Sequence, residues 1–279
     1  MRILFLTSEF PYPPYAGAPM RNFGLMEGLA EHEIWLLSFK GQHGINPAET
    51  PLNDICQTIH VIESPQRNIT DRLRDLLLST KADIAGRFYS EAFAGQLTTW
   101  LKEQSFDVIQ IENLEMTVYL PLIKQLQPET PVIYDAHNAE YALQQRIYET
   151  DRSDVARLPG AAYSLIQARR VREMETQVCS QVDYIIAVSN TDAELLERLN
   201  CGQPVAIVPN GISTQLYQAP ATPAVELEDI ALVFTGKMDY RPNVDAVLWF
   251  AQEVLPQIRQ ELPNAHFYVV GQSPHPRLD

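Results

Sequence analysis

The sequence predicts a protein of the α/β class, built from two consecutive layered units with parallel sheets. Short runs of β-branched and aromatic residues alternate with longer segments that carry apolar residues at helical spacing, the pattern of strand–helix–strand units. The strand-like runs are almost continuously apolar, as expected when a parallel sheet is covered on both faces. The alternation breaks in an Ala/Pro-rich stretch at 218–225 and then starts again. We therefore predict two Rossmann-like domains, at 1–222 and 223–279.

In the first domain, the opening run at 3–7 is predicted to be the central strand. The remaining strands are predicted at 34–38, 59–62, 107–112, 132–134, 183–189 and 204–209. Helices are predicted at 20–31, 69–78, 91–102, 116–126, 161–182 and 190–199. The polar segment 141–160 lacks this periodicity, and we expect it to be irregular.

The second domain opens with a strand at 230–235, a loop at 236–243, a helix at 244–262 and a strand at 266–271. One strand–helix–strand unit cannot close a hydrophobic core by itself. We therefore expect the second domain to be incomplete in this chain.

Composition excludes several functional classes. The chain has 35 acidic and 21 basic residues, a formal net charge of −14, so nucleic acid is not an expected partner. The cysteines at 56, 179 and 201 are scattered without metal-ligand spacing, which favours a reduced, cytoplasmic protein. No apolar run reaches membrane-spanning length. Basic residues at 67, 72, 74, 81 and 87 form either a solvated face or a patch that contacts the membrane surface or the acceptor.

Polar side chains follow the strand predicted at 132–134. Asp135, His137, Asn138 and Glu140 stand where this strand should end. Ligands of open α/β sheets bind at the carboxyl ends of strands, so chemistry is expected here. The alternative is that Asp135 and Asn138 only cap the next helix and His137 is a solvated loop residue.

Gly17 lies before the first helix, after a loop rich in proline and tyrosine. The G-x-G-x-x-G spacing of dinucleotide-binding domains is absent, so NAD binding is not supported. Gly17 can let backbone N–H groups approach an anion at the helix N-terminus. It can equally be a simple turn residue.

Taken together, these segments resemble the retaining, nucleotide-sugar-dependent glycosyltransferases of family 4, which have the two-domain GT-B fold. The likeness runs over the whole chain and is strongest to the bacterial group associated with polysaccharide and exopolysaccharide synthesis. It rests on the opening strand with Gly17, Asp135-Ala-His-Asn138, Val188-Ser-Asn190, Val208-Pro-Asn-Gly211 and Phe234-Thr-Gly-Lys-Met-Asp-Tyr-Arg-Pro-Asn-Val-Asp245.

The resemblance implies roles for individual residues. Gly17 would lie beside the donor phosphates and the acceptor, and His137 would be the catalytic histidine that contacts the donor sugar. The Gly236 loop with Lys237 and Arg241 would hold the diphosphate, although the family usually has these two cations in the reverse order. The remaining substrate-binding candidates are Asn138, Ser189, Asn190, Asn210 and Gly211.

Purely structural alternatives stay open for several of these residues. Ser189 and Asn190 can serve only as a helix cap, and Asn210-Gly211 can be a simple turn. Lys237 and Arg241 can be an exposed pair in a loop. Their functional interpretation has its own physical basis, because a leaving diphosphate develops negative charge that two cations stabilise.

The resemblance also implies an activity: transfer of a sugar, with retention, from a nucleoside-diphosphate sugar to a glycan or lipid-linked acceptor. No metal or cofactor is expected, and the protein would work in the cytoplasm, peripherally at the inner face of the membrane. The family's Glu-x7-Glu region is absent from the chain, so we expect this chain alone to be inactive or nearly so. One alternative is a nucleotide-sugar epimerase that uses Glu112, Glu115 or Asp135 as acid and base. The other is a non-catalytic domain that binds a glycan or nucleotide.

Overall fold

The computed structural model describes residues 1–41, 45–65, 82–152, 158–199, 202–212, 214, 227–228 and 230–278. The chain forms two compact units, Met1–Ile212 and Ser213–Asp279. The helix predicted at 69–78, the basic residues at 67, 72, 74 and 81, Cys201 and the linker 218–225 lie outside the described residues.

The first unit is organised around a seven-stranded parallel sheet. Its strands are β1 (Arg2–Thr7), β2 (Glu33–Phe39), β3 (Cys56–Ile62), β4 (Val108–Glu112), β5 (Val132–Ala136), β6 (Tyr184–Ala187) and β7 (Val205–Ile207). Their order in space is β3-β2-β1-β4-β5-β6-β7, and every neighbouring pair is parallel. The strand order reverses between β1 and β4, so the crevice at the carboxyl ends of these strands is where such a sheet binds its ligand.

The helices of this unit connect the parallel strands. They are α1 (Gly17–Gly28), α2 (Leu52–Ile55), α3 (Asp83–Arg87), α4 (Glu91–Glu103), α5 (Leu120–Leu126), α6 (Glu140–Arg152), α7 (Leu158–Gln181) and α8 (Asn190–Glu197). Short 3₁₀ segments lie at Pro47–Glu49 and Leu114–Tyr119. None of the helices in the described part of the chain is long and apolar enough to cross a membrane.

Alternating side chains of the central strand supply two hydrophobic clusters. Leu4 and Leu6 belong to one cluster, and Ile3 and Phe5 belong to the other. Because successive side chains of a strand point to opposite faces, this division means that both faces of the sheet are covered. The predicted α/β, Rossmann-like fold class is therefore confirmed.

Two expectations about local structure are wrong. The segment expected to be irregular contains helix α6, whose N-terminus is capped from a distance: Glu175 Oε1 accepts from the backbone N–H of Glu140 at 3.1 Å, and its Oε2 accepts from Tyr141 at 2.9 Å. Helix α1 begins at Gly17 rather than at residue 20, so Gly17 is part of the helix and not of the loop before it.

The second unit contains two parallel strands, β8 (Ala231–Thr235) and β9 (His266–Val270). Between them lie α9 (Arg241–Trp249), a π-helical turn (Phe250–Val254) and α10 (Leu255–Glu261). Arg241 is therefore the first residue of a helix, not a loop residue as predicted. Pro242 explains the early start, because proline is favoured in the first turn of a helix.

Candidate functional site

The predicted site residues of the first unit lie at the carboxyl ends of its strands. Gly17 follows β1, His137 and Asn138 follow β5, Ser189 and Asn190 follow β6, and Asn210 and Gly211 follow β7. Parallel strands end at the same edge of the sheet, so one edge carries all of these positions. Gly236, Lys237 and Arg241 belong to the second unit.

Arg21 of α1 links two of these strand ends. Its Nε lies 3.0 Å from Asp135 Oδ2 and its Nη2 lies 2.8 Å from Asp135 Oδ1. Its Nη1 donates to the carbonyl of Val208 at 2.8 Å and to Asn210 Oδ1 at 2.9 Å. The Arg21 and Asp135 side chains are 2% and 0% exposed, so this is a buried ion pair. Removing one partner of such a pair leaves a buried charge uncompensated.

His137 is paired with a second buried carboxylate, Glu112 at the end of β4. His137 Nε2 lies 2.9 Å from Glu112 Oε2, and the two side chains are 10% and 0% exposed. Gln110 donates to Glu112 Oε1 at 2.7 Å. With its amide nitrogen turned to donate, Asn22 of α1 lies 2.9 Å from Glu112 Oε2. The imidazole is thus held from one side by a carboxylate that is itself fixed by two amides.

Burial sets the proton affinities of this cluster. It raises the pKa of Glu112 to about 7, and it raises the pKa of Asp135 to about 7 with a further contribution from the neighbouring Glu112 charge. The guanidinium of Arg21 opposes both shifts. Burial also lowers the pKa of His137, which keeps its imidazole neutral at neutral pH. Near neutral pH Glu112 is therefore present in both its protonated and its ionised form, beside a neutral imidazole.

The geometry leaves the second ring nitrogen of His137 available. No hydrogen bond joins its Nδ1 to the residues that the structure describes. When Glu112 is ionised it accepts from Nε2–H, and Nδ1 is then a hydrogen-bond acceptor. When Glu112 is protonated it donates to Nε2, and Nδ1–H becomes a donor. A ligand beside His137 would therefore meet either a donor or an acceptor, depending on the proton of Glu112.

Glu112, Asp135 and His137 also have the composition of a metal site, since one ligand atom of each lies within 4.8 Å of the others. The hydrogen bonds of the cluster argue for a different use. Asp135 already binds the guanidinium of Arg21, and Glu112 already accepts from Gln110. The protein supplies its own cation to these carboxylates, so a metal ion would have to compete with Arg21.

The N-terminus of α1 offers donors at the same edge. Ala16 at the N-cap makes no side-chain cap, and Pro19 in the first turn has no N–H. Gly17 is exposed, and a Cβ added to it would meet nothing within 4 Å. The fold therefore does not itself require glycine at this position. The first-turn N–H groups and the helix dipole are suited to an anionic group.

Ser189 and Asn138 have local partners. Ser189 is the N-cap of α8, and its hydroxyl accepts from the backbone N–H of Asp192 at 3.1 Å. Asp192 also accepts from the N–H of Ala139 at 3.1 Å, which ties the loop after β5 to the start of α8. Asn138 is exposed and donates weakly to Glu140 at 3.4 Å. Capping by Ser189 is thus present, and a contact with substrate would be additional to it.

In the second unit, Lys237 and Arg241 are exposed and each faces a carboxylate. Lys237 Nζ lies 3.6 Å from Asp239, and Arg241 Nε lies 3.5 Å from Asp245. Gly236 allows a close approach, because a Cβ there would lie 2.8 Å from the Asn243 amide. The order of the two cations differs from the family pattern, but both lie where β8 gives way to α9.

Sequence reasoning missed Arg21, which holds the site together. The one available signal was weak: an arginine close to the N-terminus of α1 is disfavoured by the helix dipole, which favours a compensating anion nearby but does not require one. Nothing in the local sequence identifies Asp135, 114 residues away, as that anion. Glu112 was considered as an acid or base, but its pairing with His137 was not foreseen.

Comparisons with known proteins identify the family. The sequence model of the family described as Glycosyltransferase Family 4 matches residues 57–216, which is more than half of the chain. A search of curated proteins found no match.

Among solved structures, Staphylococcus aureus MnaA in its UDP co-structure has a TM-score of 0.50 and 12% identity, over 99% of this chain and 64% of that one. Anabaena HepE in complex with UDP-glucose has a TM-score of 0.48 and 13% identity, over 100% and 71%. TcCGT1 in complex with UDP has a TM-score of 0.44 and 12% identity, over 85% and 57%. The chain thus spans less than two thirds of MnaA and of TcCGT1. At these identities only the fold is compared, but the family match covers β4 to β7 and the residues that follow them, and the chain belongs to Glycosyltransferase Family 4.

Proposed function

We propose that the full-length protein is a glycosyltransferase that moves a sugar from a nucleoside-diphosphate sugar to an acceptor hydroxyl. The observation that carries the proposal is the His137–Glu112 pair at the carboxyl edge of a sheet in a chain of this family. MnaA, whose fold is similar, was solved with UDP, which supports a nucleoside diphosphate as the ligand class. Because the chain spans only part of the length of such proteins, the activity is proposed for the whole protein.

The proposed reaction proceeds with retention at the anomeric carbon. The bond between that carbon and the diphosphate oxygen breaks, a bond to the acceptor oxygen forms on the same face, and the acceptor proton passes to the departing diphosphate. Lys237 and Arg241 stabilise the charge that develops on the diphosphate. His137 contacts the donor sugar through its outward ring nitrogen. No metal or other cofactor enters this scheme.

The first unit supplies the remaining contacts in the proposal. The N-terminus of α1 at Gly17 lies beside the donor phosphates and the acceptor. Asn138, Asn190, Asn210 and Gly211 line the same sheet edge, and Ser189 adds to them if its capping hydroxyl also reaches the ligand. The acceptor is a glycan or a lipid-linked glycan. By its family resemblance, we place the protein in cell-surface polysaccharide synthesis, in the cytoplasm and peripherally at the inner face of the membrane.

The test is transfer of a labelled sugar by the full-length protein. Nucleoside-diphosphate hexoses are offered with and without a panel of glycan and lipid-linked acceptors, and the product's anomeric configuration is read by NMR. The proposal expects acceptor-dependent product with the configuration of the donor. Tight binding of a glycan by calorimetry, without binding or turnover of any nucleotide sugar, would instead establish a non-catalytic binding protein.

A second candidate, a nucleotide-sugar epimerase, is favoured by one observation. Glu112 and Asp135 are buried carboxyl groups whose pKa values are both raised to about 7, and proton abstraction and return need groups that titrate near the working pH. The two functions differ in a simple incubation. An epimerase changes the donor sugar in the absence of any acceptor, whereas the proposed transferase leaves it unchanged.

A further inference from the structure

The side-chain amide of Asn210 is oriented by Arg21. Its Oδ1 accepts from Arg21 Nη1 at 2.9 Å, and the same Nη1 donates to the carbonyl of Val208 at 2.8 Å. The other side of the guanidinium is held by Asp135, through Nε and Nη2. Because the guanidinium is planar and its donors have fixed directions, the grip on Asp135 also fixes the directions of the two N–H groups of Nη1, one of which meets the carbonyl of Val208. Asn210 Oδ1 accepts from the other N–H of Nη1.

This contact determines which atoms Asn210 presents. With Oδ1 turned toward Arg21, the amide nitrogen and its two N–H donors point away from the guanidinium. Asn210 is exposed, and no acceptor for these donors is found among the residues that the structure describes. A freely rotating asparagine could present either its oxygen or its nitrogen. Here the oxygen is committed, so the exposed end can only donate.

We propose that Arg21 is a positioning residue that fixes the Asn210 amide, and that Asn210 donates a hydrogen bond to an oxygen of the bound substrate. The inference rests on the proposed function and extends it to two residues, one of which no motif suggested. The oxygen belongs either to the nucleoside-diphosphate sugar or to the acceptor hydroxyls, and the two sources share the same acceptor chemistry. Arg21 does not touch the substrate and acts through Asn210.

Arginine is required for this role because lysine cannot hold both partners. A lysine ammonium at position 21 would fall near the position of the guanidinium carbon, within reach of Asp135 but short of Asn210. Arg21→Lys therefore keeps the buried charge pair and loses the contact that orients the amide. Arg21→Lys therefore tests the positioning role alone. A truncation such as Arg21→Met would remove both the positioning contact and the structural ion pair.

The experiment is a double-mutant cycle with Arg21→Lys and Asn210→Ala in the full-length protein. The KM for the donor is measured at saturating acceptor, and the KM for the acceptor at saturating donor. We expect each single variant to raise one of the two KM values about tenfold with kcat within twofold, because a contact made equally in ground and transition states affects only binding. The double variant should be no worse than Asn210→Ala alone, within twofold.

The substrate whose KM changes identifies the source of the oxygen. Arg2→Lys is the matched control, because Arg2 binds Glu33 and Gln104 near the opposite, amino end of the strands, and both KM values should stay within twofold of the wild type. Thermal unfolding of every variant confirms that it is folded.

Multiplicative effects of Arg21→Lys and Asn210→Ala, or an unchanged KM in Asn210→Ala, would overturn the inference while leaving the transferase intact. A fall in kcat at constant KM would show that Arg21 acts on the His137 cluster and not through Asn210. Wild-type protein that turns over no nucleotide sugar would overturn the proposed function, and the inference with it.

Discussion

Two groups of buried carboxylates in the first unit have similar proton affinities and different surroundings. The strand-end cluster consists of Glu112, Asp135, His137 and Arg21. The capping cluster consists of Glu175, the Tyr134 hydroxyl that donates to it at 3.1 Å, and the backbone N–H groups at the start of α6. Glu112, Asp135 and Glu175 are all 0% exposed. Burial raises the pKa of each to about 7.

The difference lies in the hydrogen bonds that remain. Within the described residues, Glu175 hydrogen-bonds only to three donors of the fold. In the strand-end cluster, by contrast, His137 has an uncommitted ring nitrogen, and Arg21 holds Asn210, whose amide nitrogen is also uncommitted. A buried carboxylate with a raised pKa is therefore not by itself the sign of a site. Uncommitted donors and acceptors next to such a group are the better sign.

The sharpest test of this comparison is His137→Ala. We expect kcat/KM for sugar transfer to fall about a hundredfold, because removal of one preorganised polar contact to a reacting group typically costs 10²–10³. The free energy of unfolding should fall by about 1–3 kcal/mol, because the side chain is largely buried and its removal takes one partner from Glu112 Oε2. The measurement is steady-state kinetics with both substrates varied.

The matched control is His32→Ala. His32 lies just before β2, at the amino end of the strands, and its only ion-pair contact in the described part of the chain is to Glu31 at 4.0 Å. The kcat/KM for sugar transfer should be unchanged in His32→Ala. Unchanged turnover in His137→Ala would show that the strand-end cluster, like the capping cluster, has only a structural role.

Glu175→Ala should produce the opposite result, a loss of stability with little loss of catalysis. The substitution leaves two backbone N–H groups and the Tyr134 hydroxyl without their acceptor, and each buried unsatisfied group costs about 1–3 kcal/mol. We expect about 3 kcal/mol in urea unfolding, since part of the loss is recovered by water. Glu173→Ala is the control on the same helix, because Glu173 is 65% exposed. A large fall in kcat for folded Glu175→Ala would show that the capping cluster takes part in the reaction.

The sheet was the predictable part of the molecule. Every strand predicted within the described residues is present, because apolar runs of three to seven residues between polar turns have few other ways to be buried. Helix α6 was missed because its cap is Glu175, which is 35 residues away from Glu140. Local capping rules cannot detect a tertiary cap of this kind, and the few apolar residues of 141–152, such as Leu143 and Ile147, are a weak helical signal in a mostly polar segment.

The site was only partly predictable for the same reason. His137 and Asn210 stood out because they follow strands, and strand ends share an edge. Arg21 lies within a helix, and its partners lie 114 and 189 residues further along the chain. Such a pairing follows from the sheet order β1-β4-β5-β6-β7, which brings β5 and β7 to the same side of β1. A sequence pattern that predicts strands one at a time does not contain that order.

The capping cluster also predicts a pH dependence of stability. The folded-state pKa of Glu175 is about 7 against an ordinary value of 4.5, so between these values the folded protein binds more protons than the unfolded chain. The contribution of Glu175 to stability therefore falls as pH rises from about 4.5 to about 7. Between pH 5 and 7.5, we expect the decrease in the free energy of unfolding to be about 2 kcal/mol smaller in Glu175→Gln than in the wild type. A pKa shift of this size can contribute at most about 3 kcal/mol. The check is urea unfolding at both pH values, and an identical slope in the two proteins would place the Glu175 pKa near its ordinary value.

The smallest expected effect concerns Ser189, which has a capping role and a proposed contact with substrate. Ser189→Ala removes the acceptor for the Asp192 N–H at the start of α8, and loss of a serine N-cap costs about 1 kcal/mol. Ser90→Ala is the matched control, because Ser90 caps α4 by accepting from Phe93, away from the predicted site residues in sequence. If the hydroxyl of Ser189 only caps, the two variants lose similar stability and keep the same KM for the nucleotide sugar. If it also binds substrate, as proposed, Ser189→Ala alone raises that KM severalfold. Equal KM values in the two variants would contradict the proposed contact and leave Ser189 with its capping role alone.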